Sequence, residues 1–329
     1  MQLSDFQKGL ILFIIATLLF GGIIFINRIA LGDVFNKEEA QHALYGLWLY
    51  KDLRALDLGG FWNDTQRQMF WPFLHSWVLA ANYLFCGVSY ISSRLLSLII
   101  FIATLFLMYA IAFEISAKQG WKIGLLAVLL AFSSPMMIQF ATSNTLEGLG
   151  ALIFLASIHF YAVCEERKLV YEYIILGVLI SLSIYTNYLY AYLLIPSFVV
   201  VTFVKLGPLF VEGVSLRRRG EKEAVHFLWW AYKKFIVLVV LMGFLAAWFL
   251  TAAFSRKIML LLQAIFRYSG GELSLSIGQS LLYYPKAIVL NYAFSPWLGV
   301  LLLVSLLMPF IARHYRQVNG REKEDFYAG

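Results

Sequence analysis

The stretch Phe35-Asn36-Lys37-Glu38-Glu39-Ala40-Gln41-His42-Ala43 is a concentrated polar segment between two long apolar parts of the chain. The first apolar run, residues 10–26, precedes it, and apolar residues dominate most of the chain from Trp71 onward. A charged segment in this position meets both water and lipid. The rest of the chain is therefore expected to be a membrane scaffold that presents this segment.

The composition indicates that the scaffold is embedded in a membrane. Of the 329 residues, 61% are hydrophobic and only 14% are charged, whereas a soluble domain is about half apolar and about a quarter charged. The net charge of +7 does not indicate nucleic-acid binding, because the basic residues lie in short loops beside apolar runs. Cys86 and Cys164 form no CxxC pair, so neither a disulfide nor a thiolate metal site is expected.

The topology depends on residues 71–87, whose apolar length approaches the roughly 20 residues of a span but which include Pro72 and His75. Counting this segment as a span would place most basic loops outside, against the positive-inside rule. We therefore predict that it lies on the interface and that both termini are cytoplasmic. Residues 10–26 have no small-x-small cleavage site after them and are taken as a retained helix. The eight predicted spans are residues 10–26, 91–114, 123–142, 146–164, 173–189, 190–206, 235–254 and 296–312.

The resulting fold class is an all-α polytopic membrane protein, with residues 1–329 forming a single module. Residues 28–90 form an external loop with two juxtamembrane amphipathic helices, residues 207–233 a cytoplasmic basic loop, and residues 255–295 a second external loop. The first juxtamembrane helix is predicted over residues 37–53 and is expected to end at Gly59-Gly60. Its apolar stripe consists of Ala40, Ala43, Leu44, Leu47 and Trp48, which recur at helical spacing.

The acidic pair in this helix has two interpretations. Glu38 precedes His42 by four residues, so a helix brings both to one face, where a carboxylate could act as a general base. Glutamates in the first turn of a helix are also favourable with its dipole and need no further role. Glu147 and Asn144, at the external end of two predicted spans, have a similar ambiguity. A carboxylate there is costly enough to suggest a function, but a structural hydrogen bond between helices explains it equally well.

Several short motifs follow the acidic helix in a characteristic order. They are Trp71-Pro72-Phe73-Leu74-His75, Phe85-Cys86-Gly87-Val88-Ser89, Arg94-Leu95-Leu96-Ser97, Ser134-Pro135-Met136, Thr145-Leu146-Glu147 and Tyr185-Thr186-Asn187-Tyr188. With a first span and an acidic-acidic-Ala helix ahead of them, this order resembles the GT-C superfamily of membrane glycosyltransferases. The most similar branch is that of the protein O-mannosyltransferases and aminoarabinose transferases (glycosyltransferase family 39-like). The resemblance implies transfer of a sugar from a polyprenyl-phosphate carrier to an acceptor at the outer face of the cell membrane.

The resemblance also implies roles for individual residues. Glu38 matches the family's acidic residue that deprotonates or orients the acceptor, Glu39 matches its acidic neighbour, and Arg94 matches the arginine at the external start of the second span. The bases expected to hold the donor phosphate are Arg94, Arg256, Lys257, Arg267 and Lys286. The expected substrate contacts are His42, His75, Glu147 and Asn187. No cofactor and no metal site are implied beyond the lipid-linked sugar, and participation of a divalent cation stays open.

The chain departs from the family pattern at several points. Glu38 stands where the leading acid of the family is aspartate, and is longer by one methylene. Phe70-Trp71 stand where many members have an acidic-basic pair before the proline, which leaves His75 or Arg67 as substitutes for a phosphate contact. Asn187 stands where many members have lysine. These departures keep a second hypothesis open, in which the same scaffold is a non-catalytic lipid-binding or transport protein, or a subunit of a larger membrane complex.

Overall fold

The structure, a computed structural model, describes residues 4–32, 34–68, 71–116, 120–167, 169–187, 197–200 and 236–244, without the side chains of residues 162–167. These residues form helices and turns and no β-strand, which confirms the all-α prediction. Contacts divide the chain into two compact units, residues 1–128 with 140–267 and residues 129–139 with 268–329. All candidate site residues that the structure describes lie in the first unit. Residues 129–139 are the only described part of the second.

The described part of the chain contains nine labelled α-helices. They are α1 (Asp5–Ile24), α2 (Lys37–Ala55), α3 (Leu58–Arg67), α4 (Leu74–Cys86), α5 (Tyr90–Ile115), α6 (Gly120–Ser133), α7 (Pro135–Thr142), α8 (Glu147–Arg167) and α9 (Val170–Thr186). A π-helical turn at Phe25–Ala30 extends α1.

Two described helices are long and apolar enough to cross a membrane. They are α1 with its π-helical extension, Asp5–Ala30, and α5, each of 26 residues. At 1.5 Å per residue each is about 39 Å long, which exceeds the roughly 30 Å of a bilayer core. Residues 123–142, predicted as one span, instead form a broken pair, α6 and α7, bent by 75°. Pro135 explains the break because it lacks an N–H and disfavours helical geometry at Ser134.

The remaining predicted spans are only partly covered by the structure. Among the described residues, α8 contributes a shorter apolar helix over residues 147–161, and α9 is a second short apolar helix. The spans predicted at 190–206 and 235–254 contain the helical segments 197–200 and 236–244, and residues 296–312 lie outside the described part. Eight spans therefore stay a prediction, whereas an integral membrane architecture built from apolar helices is supported.

The first juxtamembrane helix, α2, buries a different face from the predicted one. Its buried residues are Glu39, His42, Gly46 and Leu49, while Ala40 and Leu44 of the predicted apolar stripe are exposed. The buried face packs against α4, and Gly46 permits a close approach because a Cβ there would lie 2.7 Å from Leu79 Cδ2. With 13 residues, α4 is about 20 Å long, which agrees with the prediction that residues 71–87 do not span.

The end of α2 also differs from the sequence-based expectation. The helix ends at Ala55 and is followed by Leu56 with φ 56°, whereas Gly59 and Gly60 lie in the first turn of α3. Asp57 caps α3, since its Oδ1 accepts the Gly60 N–H at 2.8 Å. A Cβ on Gly60 would lie 2.6 Å from Asp57 Oδ2. Gly60 therefore belongs to the beginning of α3 and does not end α2.

An apolar core packs α4 against α5 and α8. Its buried residues, from α4, α5 and α8, are Leu79, Tyr83, Leu96, Ile100 and Leu149. Because α2 packs on α4, this core also sets the position of α2 relative to the start of α5, where Arg94 lies.

Candidate active site

The beginning of α2 separates its two adjacent glutamates into different environments. Asn36 caps the helix, with Oδ1 accepting the N–H groups of Glu38 and Glu39 at 2.9 Å each. Glu39 Oε2 accepts the Asn36 N–H in return at 3.2 Å, which completes a capping box. Successive helical residues are about 100° apart, so Glu39 turns inward and is 3% exposed, while Glu38 is exposed.

Glu39 forms a two-pronged ion pair with Arg94 from the first turns of α5. Arg94 Nε donates to Glu39 Oε1 and Arg94 Nη2 donates to Glu39 Oε2, both at 3.0 Å. The Arg94 guanidinium carbon also lies 5.4 Å from the centroid of the Phe35 ring, a distance typical of a cation–π contact. Arg94 is 7% exposed, so water screens this pair very little.

Backbone donors complete the surroundings of the Glu39 carboxylate. The Asn144 N–H donates to Oε1 at 2.9 Å, so with Arg94 and Asn36 each oxygen accepts two hydrogen bonds. Burial raises the pKa of Glu39, but the hydrogen bonds from Arg94, Asn144 and Asn36 outweigh it, and the pKa lies below its usual value of 4.5. The carboxylate is therefore ionised at neutral pH. A group with its lone pairs used in this way is a poor proton acceptor, which favours a supporting role for Glu39.

Glu38 has a different environment. Its side chain makes no hydrogen bond or ion pair with the described residues. It lies close enough to Glu147, the first residue of α8, for the two carboxylates to repel each other. Glu147 is half-buried. The structure thus places the predicted base within electrostatic reach of one of the predicted substrate contacts.

The two histidines predicted from the sequence pack against each other inside the fold. His42 from α2 and His75 from α4 are each 1% exposed, with ring centroids 5.6 Å apart, and the Trp71 ring lies 5.7 Å from His42. Burial lowers the pKa of His42 to about 3, with a contribution from His75, and burial lowers the pKa of His75 to about 4. Both rings are neutral at physiological pH. The sequence predicts that His42 shares a helix face with Glu38. In the structure, the buried face of α2 carries His42 together with Glu39, whereas Glu38 is exposed.

The other predicted site residues are more scattered. Asn187 follows α9 and is buried, near Tyr185, whose ring packs on Phe73 just before α4. Arg67 pairs with Asp64 at 3.0 Å on α3. The predicted phosphate ligands Arg256, Lys257, Arg267 and Lys286 lie outside the described residues. Within the part that the structure describes, no three His, Cys, Asp or Glu side chains are grouped as metal ligands would be, so no residue is assigned to a cation.

One residue of the site was not found from the sequence. Gly32, between the π-helical turn and α2, lies against the ion pair, since a Cβ there would be 2.9 Å from Arg94 Nη1 and 2.3 Å from the Arg28 carbonyl oxygen. Only glycine fits at this point. The one available signal was a lone glycine directly after an apolar run.

One comparison with known proteins covers part of this site. Residues 71–212 match the model of a family described as dolichyl-phosphate-mannose-protein mannosyltransferase, and no significant match exists among curated proteins or solved structures. The match confirms the resemblance to the GT-C superfamily. The matched residues thus support membrane glycosyltransferase activity in broad terms. Arg94, Asn144 and His75 lie within the matched residues, whereas Glu38, Glu39 and His42 precede them.

Proposed function

We propose that this protein transfers a sugar from a polyprenyl-phosphate carrier to an acceptor at the outer face of the cell membrane, with Glu38 as the general base. The observation that carries the assignment is the exposed Glu38 carboxylate next to a buried Glu39–Arg94 pair. Of the two adjacent acids, only Glu38 has a carboxylate that an acceptor can reach. The family match over residues 71–212 supports glycosyl transfer as the reaction.

The proposed reaction is a direct displacement with inversion. An acceptor hydroxyl gives its proton to the Glu38 carboxylate while its oxygen forms a bond to the anomeric carbon. The bond between that carbon and the phosphate oxygen breaks, and polyprenyl phosphate leaves with the electron pair. Charge develops on the leaving phosphate, which cationic side chains would stabilise. Arg256, Lys257, Arg267 and Lys286 are proposed for this role.

Arg94 contributes to the site in a more specific way than the sequence suggests. Its Nε and Nη2 groups are bonded to Glu39, so its main role is proposed to be holding α2 against α5. A direct contact with the donor phosphate stays a prediction. Among the proposed substrate contacts, Glu147 is the best positioned because it is half-buried and close to Glu38. Asn187, His42 and His75 are buried, so they are proposed to support the side chains of the site from inside the fold.

Turnover in proteoliposomes tests the proposal. Purified protein would be given polyprenyl-phosphate mannose or polyprenyl-phosphate aminoarabinose, with a threonine peptide, a glycolipid or an oligosaccharide as acceptor. Released polyprenyl phosphate would be measured. Loss of a general base lowers the rate by about 10²–10⁴-fold, so Glu38→Gln should reduce turnover by at least about 100-fold while donor binding persists.

Glu114→Gln is the matched control for Glu38→Gln. Glu114 is an exposed glutamate near the other end of α5, about 30 Å along the helix from Arg94 at 1.5 Å per residue, and its substitution should leave turnover within about twofold. Wild-type protein that binds these donors but releases no carrier phosphate with any acceptor would favour the non-catalytic lipid-binding, transport or complex-subunit alternative. Equal turnover in Glu38→Gln and wild type would exclude Glu38 as the base.

A further inference from the structure

Asn144 occupies a central position in the first unit without being one of the acids or bases of the site. It lies in the turn between α7 and α8, three residues before Glu147, and its side chain is fully buried. Its backbone N–H donates to Glu39 Oε1 at 2.9 Å, and its side-chain Nδ2 donates to the Glu39 carbonyl oxygen at 3.2 Å. Asn144 Oδ1 lies 3.2 Å from His75 Nε2. One residue thus contacts α2 and α4 from the turn that leads into α8.

These contacts fix the orientation of the Asn144 amide and the tautomer of His75. A carbonyl oxygen can only accept a hydrogen bond, so the Asn144 atom facing the Glu39 carbonyl must be the Nδ2 donor. The other side-chain atom is then Oδ1, which can only accept. The neutral His75 ring must therefore carry its proton on Nε2 and donate it to Asn144.

The contacts also determine what would move if Asn144 were lost. With respect to the described residues, Glu38 is held through the backbone of α2, whose first turn is fixed by Asn36, Arg94 and Asn144. Of these three, Asn144 alone connects the turn to the chain segment that carries Glu147. Rates of group transfer depend steeply on such placement, and an error of about 1 Å can cost about 100-fold.

We propose that Asn144 is a positioning residue that sets the distance and orientation of Glu38 relative to Glu147 at the start of α8. The inference rests on the proposed function of Glu38. Asn144 contacts neither reacting group and acts through the backbone of Glu39 and the ring of His75. A residue of this kind lowers kcat when it is removed and leaves the KM for the lipid donor nearly unchanged.

Asn144→Ala and Asn82→Ala form the first test pair. Asn82 is also an asparagine that joins two helices, with Nδ2 donating to the Ser92 carbonyl and hydroxyl oxygens at 3.1 and 2.9 Å, and neither of these hydrogen bonds goes to an acid. Asn144→Ala is expected to lower kcat by about tenfold or more with donor KM within about threefold. Asn82→Ala should keep kcat within about twofold of wild type. Equal kcat values for the two variants, or a change confined to KM, would overturn the inference.

Two substitutions of His75 provide a second test that does not depend on Asn144→Ala folding. The amide nitrogen of glutamine reaches the position of the imidazole Nε2, whereas that of asparagine reaches only the position of Nδ1. His75→Gln should therefore retain the donor to Asn144 Oδ1, and His75→Asn should lose it. The kcat of His75→Gln is expected to exceed that of His75→Asn by about tenfold, and equal values would contradict the inference.

A distance measurement separates this inference from the proposed reaction. Spin labels at Gln41 of α2 and Ile158 of α8, both exposed, would be introduced into a chain without Cys86 and Cys164. The distance distribution should broaden or shift in Asn144→Ala but not in Asn82→Ala. If wild-type protein shows no turnover, the proposed function fails, and this distance change still supports positioning by Asn144. An unchanged distribution in Asn144→Ala would refute it even if turnover is present.

Discussion

Removing one partner of the Glu39–Arg94 pair should destabilise the protein far more than removing the adjacent Glu38. The pair is held by two hydrogen bonds of 3.0 Å between side chains that are 8% and 4% exposed. At a charge separation of about 4 Å and an effective dielectric constant of about 20, the attraction is on the order of 4 kcal/mol. Loss of one partner takes away a buried counter-charge, which costs about 3–5 kcal/mol.

Glu39→Gln and Arg94→Met should each lower the stability by this amount, for different reasons. Glu39→Gln turns an amide donor or a neutral oxygen toward Arg94 and removes the carboxylate that accepts hydrogen bonds from its Nε and Nη2 groups. Arg94→Met keeps an unbranched side chain but leaves Glu39 with only the backbone donors of Asn144 and Asn36. Glu39→Gln combined with Arg94→Met removes both charges, so its cost should be smaller than the sum of the two single costs by about 2 kcal/mol or more.

The free energy of unfolding would be measured by titration with dodecyl sulfate in detergent micelles, with the intrinsic tryptophan fluorescence as signal. Glu38→Gln is the internal control, because Glu38 is exposed and its side chain makes no hydrogen bond or ion pair with the described residues, and such a substitution should change stability by no more than about 0.5 kcal/mol. Additive single costs, or a Glu38→Gln effect as large as that of Glu39→Gln, would refute the assignment of Glu39 as the structural acid and Glu38 as the accessible one.

Two further predictions concern pH and topology. Burial lowers the pKa of His42 to about 3 and of His75 to about 4 from 6.5, so their stabilising contribution is complete above pH 6.5 and is lost as the pH falls toward these values. The melting temperature should therefore drop between pH 7 and pH 5, and it should drop less steeply in a His42→Asn, His75→Gln double variant. Equal slopes in wild type and the double variant would contradict this. Cysteines introduced at Gly59 and Gly220, in a chain without Cys86 and Cys164, should react with impermeant reagents from opposite membrane faces, and labelling from one face only would overturn the predicted topology.

The class of fold could be predicted because composition and hydropathy are properties of the whole chain. A polypeptide with 61% hydrophobic residues must place most backbone groups in lipid, where helices satisfy their hydrogen bonds internally. Local breaks were harder to predict. The bend at Pro135 lies inside an apolar run that hydropathy alone interprets as one span, and Gly59-Gly60 looked like a helix end although Gly60 fits the Asp57 cap.

The buried face of α2 could not be predicted from its hydrophobic pattern. The pattern selected Ala40 and Leu44, but the structure buries Glu39 and His42 and leaves these two exposed. Hydrophobic periodicity assumes that apolar residues face the protein interior, and this assumption fails where the surroundings include lipid and where the inward polar groups have partners. Two of the partners of Glu39, Arg94 and Asn144, are 55 and 105 residues away in sequence, so no local pattern reveals them.

The separation of roles between Glu38 and Glu39 follows from the same distant contacts. The two residues have the same side chain and neighbouring positions, and only the rotation of the helix and the positions of Arg94 and Asn144 distinguish them. Both partners lie within residues 71–212, which match the mannosyltransferase family model, whereas the acidic helix lies before them. The matched part of the chain therefore supplies the groups that bury Glu39, and burying Glu39 is what leaves Glu38 at the surface. A substitution at Arg94 or Asn144 should therefore change the rate of the reaction proposed for Glu38, although Glu38 itself is unchanged. A search for acidic motifs alone would not predict this effect.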